Sequence, residues 1–435
     1  MYLAIIGFDE IVSNKYADVF FDAIEAGTLD GYYIVDLRSQ EASITKRLEA
    51  LRIRPVSVIY LKDDDWEEDF ERKFGAICQQ KQFRVYIAAE AKAHFYYLQW
   101  CILNGISVLV EKPAFVSMRD GVFAPEELMA DTQRLAELAE RNHVQVSVMT
   151  TARYHKVFNE VLFRNIGAVV QTYHTPITSM HIRHAGGVWN LGDEYDTRED
   201  HPYKYGYGMI MHGGYHYIDL LSQAIEMNRQ VLNTEMAIEL TAFSARPSDQ
   251  SRRISREVEA SVGSDVQVRL QKGRMDYGET DITATFRLYE KEGNSTITIG
   301  TIALEQTTPS VRGWAQLPSD VYNKNGRKMS LDFELQVSTL ASEHIVCVDT
   351  PSSYYQTVAD LLSRYNARIM KDATYVSKRS FIRVSHSNSN RELIRHWIRG
   401  EETRSQLRQH ITCMKLVYLL SMASKSPGKV FGIDI

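Results

Sequence analysis

Cysteine is scarce in this chain of 435 residues: there are four, Cys78, Cys101, Cys347 and Cys413, and no two form a CxxC pair. That spacing excludes the common zinc-ribbon and thiol-redox motifs, and the apolar neighbours predict free core thiols in a reducing compartment. No stretch approaches the roughly 20 uninterrupted apolar residues that a membrane helix needs. The chain opens directly on the apolar run Tyr2-Leu3-Ala4-Ile5-Ile6, without a basic lead or a small-residue cleavage site, so a cytoplasmic location is expected. No basic block stands out and the formal net charge is −5, which argues against nucleic acid as a partner. There is no internal repeat and no low-complexity tract. One further shortage bears on chemistry. The stretch Gly7-Phe8-Asp9-Glu10-Ile11-Val12 holds a single glycine where a phosphate-binding loop of the form Gly-x-Gly-x-x-Gly has three.

What is present is a regular alternation. Residues 2–7, 32–37, 55–61, 84–89, 106–110 and 144–149 are short apolar runs that read as strands, the second holding Asp36 near its end. Between them, residues 15–26, 94–103 and 126–142 have helical spacing, and Asn104-Gly105 supplies a helix stop. Near-continuous apolar strands alternating with helices predict a parallel sheet covered on both faces, of the doubly wound nucleotide-binding type. After residue 150 the pattern changes. A helix is expected over 156–165 and another around 214–225. Strand patterns dominate from 235 to 349, for example 280–289, 295–305 and 328–340, with the alternation of a sheet covered on one face. Residues 246–258 are charged and predict a solvated loop, and helices return over 391–399 and 407–423. The fold expected is α/β: a Rossmann-like domain over 1–150, then an α+β domain over 151–390 with a large open, mostly antiparallel sheet.

Three motifs occur in order along this frame. Residues 85–113 run VYIAAEAKAHFYYLQWCILNGISVLVEKP and end in Glu111-Lys112-Pro113; Thr151-Ala152-Arg153-Tyr154 follows; and residues 213–221 run GGYHYIDLL, with Gly214, His216 and Asp219 as Gly-x-His-x-x-Asp. In this the chain resembles the Gfo/Idh/MocA family of nicotinamide-dependent sugar and cyclitol dehydrogenases, with a degenerate phosphate loop. The resemblance implies that residues 391–435 return to the first domain, and that the open sheet joins copies into a homo-oligomer, a dimer or tetramer. It implies hydride transfer between NAD or NADP and a hydroxyl or keto carbon of a sugar-like substrate. Gly7, Asp36, Ala88, His94, Glu111 and Lys112 would then meet the cofactor, and Arg153, Tyr154, Tyr207 and Asp219 the substrate. No metal is expected.

The residues support roles of their own. Lys112 lies just beyond the fifth strand, at the edge where open α/β sheets bind ligands, and an ammonium there can stabilise a developing alkoxide. An imidazole titrates near neutrality, which suits His216 to proton transfer, and a place at a helix start favours the neutral, basic form. Asp219, one turn later, can orient that ring or cap the helix. His212 departs from the family, which has Asp four residues before His216; a neutral imidazole donates and accepts but brings no negative charge. Asp36 favours NAD by accepting ribose hydroxyls, although Arg38 leaves NADP open. Asp9 and Glu10 are acidic where a pyrophosphate would lie, and Ser13 or Asn14 is a candidate cap for a re-routed loop, with Lys15 as compensating charge. The aromatic stretch Tyr203 to Gly208, with Trp189 ahead of it, suits a carbohydrate-facing loop or core filling. Two rival readings stay open. One is a non-catalytic, ligand-binding regulator; the other is a metal-dependent lyase or hydrolase built on His181, His184, His212 and His216.

Overall fold

The computed structural model describes residues 1–187, 190, 194–199, 201–261, 277–309, 330–350, 356–371 and 376–435. They fall into two compact units. The first comprises Met1–Ser117, Ala130–Thr150 and Ser387–Ile411, and the second Met118–Met129, Thr151–His386 and Thr412–Ile435.

In the first unit the apolar runs become β1 (Tyr2–Ile6), β2 (Tyr32–Leu37), β3 (Ser57–Leu61), β4 (Phe83–Ile87) and β5 (Val108–Glu111). A small hairpin, β6 (Met118–Arg119) and β7 (Val122–Phe123), belongs to the second unit, and β8 (Val146–Met149) completes the first sheet. Its strand order is β3-β2-β1-β4-β5-β8, and every neighbouring pair is parallel. Side chains of the central strands are buried on both faces, which is why these strands read as continuous apolar runs rather than as alternation. The chain reverses direction across the sheet between β1 and β4, so the carboxyl ends of those strands border the crevice that doubly wound sheets use for ligands. The expected helix over 15–26 starts earlier: a π-helical turn at Val12–Tyr16 feeds the α-helix Ala17–Glu25. From the tail, the helix His386–Ile398 packs on this unit. Asn390 donates to the Tyr16 hydroxyl at 2.6 Å, and the Arg391 Nε to the Lys15 carbonyl at 2.8 Å.

The second unit carries a nine-stranded sheet built from β9 (Ser179–Ala185), β10 (Met236–Ala245), β11 (Asp281–Glu290), β12 (Ser295–Glu305), β13 (Ser330–Val337), β14 (Ala341–Thr350), β15 (Gln356–Tyr365), β16 (Ser377–Ser385) and β17 (Phe431–Asp434). The order is β16-β15-β14-β13-β9-β12-β11-β10-β17, antiparallel throughout except for β9 beside β12. The sheet therefore extends past the strands legible before residue 350. The helices Arg164–Tyr173 and Tyr215–Leu232 pack on one face, against β13 and β14 and against β9 respectively. The first of these continues through the 166–173 stretch, because a π-helical segment at Val157–Phe163 runs straight into it and ends only at His174, whose φ is 47°. Residues 246–258 are not the loop that their charge suggested. Pro247–Asp249, Gln250–Arg253 and Arg256–Ser261 are short helical segments, the first closed by the Arg246 amide donating to Asp249 Oδ2 at 2.8 Å and the Asp249 amide to the Arg246 carbonyl at 2.9 Å. Among the described residues no helix is long and apolar enough to cross a membrane.

Candidate functional site

At the carboxyl edge of the parallel sheet, the end of β1 is pressed against the end of β4. Gly7 has φ 84°, and a Cβ there would stand 2.6 Å from the Ala89 nitrogen and 2.8 Å from the Ala88 carbonyl carbon, so only glycine fits. The Ala88 amide closes the contact on the Ile6 carbonyl at 2.7 Å. The next residue is fastened three ways. Its amide donates to Asp36 Oδ2 at 2.7 Å, its carbonyl accepts from Arg47 Nη1 at 2.8 Å, and the Phe8 ring is only 2% exposed. Asp36 thus spends one oxygen on the loop, and its other accepts from the Leu37 amide at 2.8 Å. Burial pushes the Asp36 carboxyl above its ordinary range, against the pull of the two amides and Arg47. The helix that follows is capped by neither Ser13 nor Asn14. Asp9 does it: Oδ1 accepts from the Val12 amide at 2.8 Å, and the Asp9 carbonyl from the Ser13 amide at 3.2 Å.

Further along this edge, β5 ends in Glu111, followed by a cis Lys112–Pro113 bond. The Tyr86 hydroxyl of β4 donates to Glu111 Oε1 at 2.6 Å. Burial pushes both the Glu111 carboxyl and the Tyr86 hydroxyl up, the first against the pull of the Tyr86 hydrogen bond and Lys112. Tyr16 packs edge-on against Tyr86, 6.5 Å between centroids. His94 is buried with Nδ1 2.9 Å from the Pro113 carbonyl and Nε2 2.9 Å from the Ala89 carbonyl, and burial pushes its imidazole below the usual range. Its ring therefore ties the loop after β4 to the loop after β5. The first unit thus gathers Gly7, Asp36, Ala88, His94, Glu111 and the half-buried Lys112 at one sheet edge.

In the second unit, two backbones meet at the His-rich loop. A Cβ on Gly208 would stand 2.1 Å from the Glu279 carbonyl oxygen, and one on Gly278 2.1 Å from the Tyr207 carbonyl carbon. The Met209 amide donates to the Glu279 carbonyl and the Ile210 amide to Glu279 Oε1, each at 2.8 Å. Burial pushes the Glu279 carboxyl up despite that amide. His212 is buried among rings, with the centroids of Tyr203 at 4.9 Å, His201 at 5.0 Å and Tyr207 at 5.6 Å, all edge-on. His216 occupies the second position of the helix Tyr215–Leu232. One turn on, Asp219 faces not solvent but Arg153: Nη2 lies 2.7 Å from Oδ1, and Nε 3.1 and 3.0 Å from the two oxygens. Tyr154 and Tyr207 are buried. His184 stacks on Tyr217 at 4.0 Å, while His181 meets Ser179 and Thr301, each at 2.9 Å. Trp189 lies outside the described residues. Sequence reasoning missed Glu279, which stands 69 residues from the amide it holds, and Tyr86, whose apolar run disguised it as core.

Fold and edge together define an α/β protein with a doubly wound parallel sheet of the nucleotide-binding kind and a second unit built on an open mixed sheet. The sequence matches no protein-family model and no curated protein. Solved structures do share the fold. An oxidoreductase from Agrobacterium radiobacter, in complex with NAD+, L-tartaric acid and magnesium, is 13% identical, with 99% of this chain and 98% of that one covered and a TM-score of 0.56. The WlbA dehydrogenase from Bordetella pertussis, in complex with NADH and UDP-GlcNAcA, is 13% identical over 100% of this chain and 99% of that one, with a TM-score of 0.58. An aldose-aldose oxidoreductase from Caulobacter crescentus, complexed with glycerol, is 10% identical over 100% and 99%, with a TM-score of 0.57. At such identities the likeness is one of fold.

Proposed function

We propose that this chain is an oxidoreductase that works with NAD or NADP, NAD favoured, on a hydroxyl or keto carbon of a sugar-like or cyclitol substrate. The observation that carries the reading is the Lys112 edge. Lys112 follows the end of β5, beside β4 on the carboxyl edge of the parallel sheet, flanked by a Glu111 that Tyr86 anchors and by a Pro113 that His94 anchors. Gly7, wedged against Ala88–Ala89, holds the ends of β1 and β4 together at this edge, and Lys112 suits a nicotinamide-proximal position. The chain fills two parts of this edge itself: Asp9 lies on the amide where a pyrophosphate would bind, and the Asp36 oxygens accept from the Phe8 and Leu37 amides. A bound nicotinamide would supply the hydride acceptor or donor. The protein's own groups would do the rest. Lys112 holds the substrate oxygen through an N–H donor whose effect grows with negative charge. His216, at the positive end of its helix, takes or returns the hydroxyl proton, and His212 assists as a neutral donor or acceptor. The Arg153–Asp219 pair fixes the first turn of that helix, while the buried Tyr207 ring packs against His212 and backs its imidazole. The face of the large sheet opposite the helices Arg164–Tyr173 and Tyr215–Leu232 would join copies into a homo-oligomer.

The test begins with thermal shifts in NAD, NADH, NADP and NADPH, since a ligand bound to the native state alone raises its stability. With a reactive sugar in hand, Lys112→Ala is expected to lower kcat by about a hundredfold with the fold intact. His216→Asn should flatten the pH profile because the titrating base is gone. A second reading, a regulator that binds a ligand without turnover, draws on the carboxylate at Asp9 and on His212 in place of an acid. It predicts no turnover of any sugar by the wild type, and unchanged ligand binding in both variants.

A further inference from the structure

The amides of the first helical turn after β1 are where doubly wound sheets take a phosphate, because free N–H groups and the helix dipole both favour an anion there. In this chain an anion is already covalently supplied. Asp9 Oδ1 sits on the Val12 amide at 2.8 Å, at the third-glycine position of the loop, where the Val12 side chain is buried. The loop has little freedom to carry Asp9 elsewhere, since Gly7 is wedged against Ala88–Ala89 and Phe8 is held by both Asp36 and Arg47. Asp9 is half-buried, and its charge adds to burial and Glu111 in pushing up the Tyr16 and Tyr86 hydroxyls.

Resting on the nicotinamide reading above, we infer that Asp9 is a built-in competitor for the dinucleotide pyrophosphate, and so the residue that sets how tightly this chain binds its cofactor. A bound pyrophosphate has to displace the Asp9 carboxylate from the Val12 amide or lie beside it. At effective dielectrics between those of water and a protein surface, one such like-charge contact weakens binding roughly tenfold to a thousandfold. Ligands of the same nucleoside that carry no phosphate escape the penalty.

Asp9→Asn separates charge from structure, because Asn caps a helix as well as Asp does. Titration calorimetry at neutral pH with NAD+, ADP and adenosine reads the effect. The expected result is a gain of about tenfold or more in affinity for NAD+ and ADP, no change for adenosine, and an unchanged melting temperature of the free protein. Raising the salt should shrink the gain, as screening requires. An Asp9→Ser variant, which keeps a capping hydroxyl, should behave alike. If the wild type and both variants bind NAD+ with equal affinity, the competitor is disproved while the nicotinamide reading stands. If none of them binds NAD+ or ADP, the nicotinamide reading fails and this inference fails with it.

Discussion

A carboxylate at 0% exposure survives inside a protein only when something meets its charge, and for Asp219 that partner is Arg153, with three hydrogen bonds of 2.7–3.1 Å. Arg153→Ala should therefore cost about 3–5 kcal/mol, read from urea unfolding, because it strands the Asp219 charge rather than merely deleting a contact. Arg153→Lys should recover only part, since an ammonium cannot span both oxygens. If Arg153→Ala unfolds at the same urea concentration as the wild type, the pair is not holding this region. The thiols give a second prediction at this scale. All four cysteines are free, and burial pushes the Cys78 thiol up to about 12 and those of Cys101 and Cys413 well above their ordinary value. Native protein at pH 8 should thus resist iodoacetamide at the buried Cys101 and Cys413, with alkylation following unfolding, and react slowly at the half-buried Cys78; rapid native labelling of Cys101 or Cys413 would contradict their burial. The candidate site was partly legible. Lys112, His216 and Asp219 stood out by motif, whereas the Arg153–Asp219 bond spans 66 residues and left no local signal.

Among the elements, the loop carrying His212 depends most on backbone packing. Gly208 and Gly278 let two chains approach more closely than any Cβ allows, and Glu279 holds the Met209 and Ile210 amides in the gap. Gly208→Ala should destabilise the second unit by well over the roughly 1 kcal/mol typical of a glycine substitution, since its Cβ would fall on the Glu279 carbonyl. Thermal unfolding checks this, and an unchanged melting temperature would mean that the two backbones separate readily. The aromatic run Tyr203 to Gly208 advertised its glycines and rings, but not that Tyr203 and Tyr207 turn inward onto His212. Likewise the charge of residues 246–258 suggested a loop. Short helical segments formed instead because capping and packing of Pro247 outweigh weak local preference.

At the scale of the whole molecule, the large sheet has a second face, opposite the one on which the helices Arg164–Tyr173 and Tyr215–Leu232 pack. Pairing registers place Phe381, Asp360, Val346, Asp332, Arg183, Ala303, Thr283 and Phe243 in one cross-strand row on that face, and both phenylalanines are 68% exposed. We propose that a second copy covers it. Light scattering at micromolar concentration should give a dimer or tetramer, reduced to monomer by Phe243→Asp with Phe381→Asp. A monomeric wild type would overturn the assignment.

The sequence by itself determined the parallel sheet and the placement of its switch-point edge. Buried parallel strands are continuous apolar runs, and their short connecting helices carry a local period that any reader of residues can detect. It also marked the antiparallel character of the second sheet through alternation, and it marked the missing glycines of the phosphate loop. Tertiary structure alone decided what that loss means. Whether Asp9 points to solvent or onto the Val12 amide, and whether Asp36 is spent on Phe8, depends on side-chain directions fixed by Gly7 against Ala88–Ala89 and by Arg47 on the Phe8 carbonyl. Those contacts join residues 3 to 82 positions apart. Only the folded chain, which brings β1, β2 and β4 side by side, sets them.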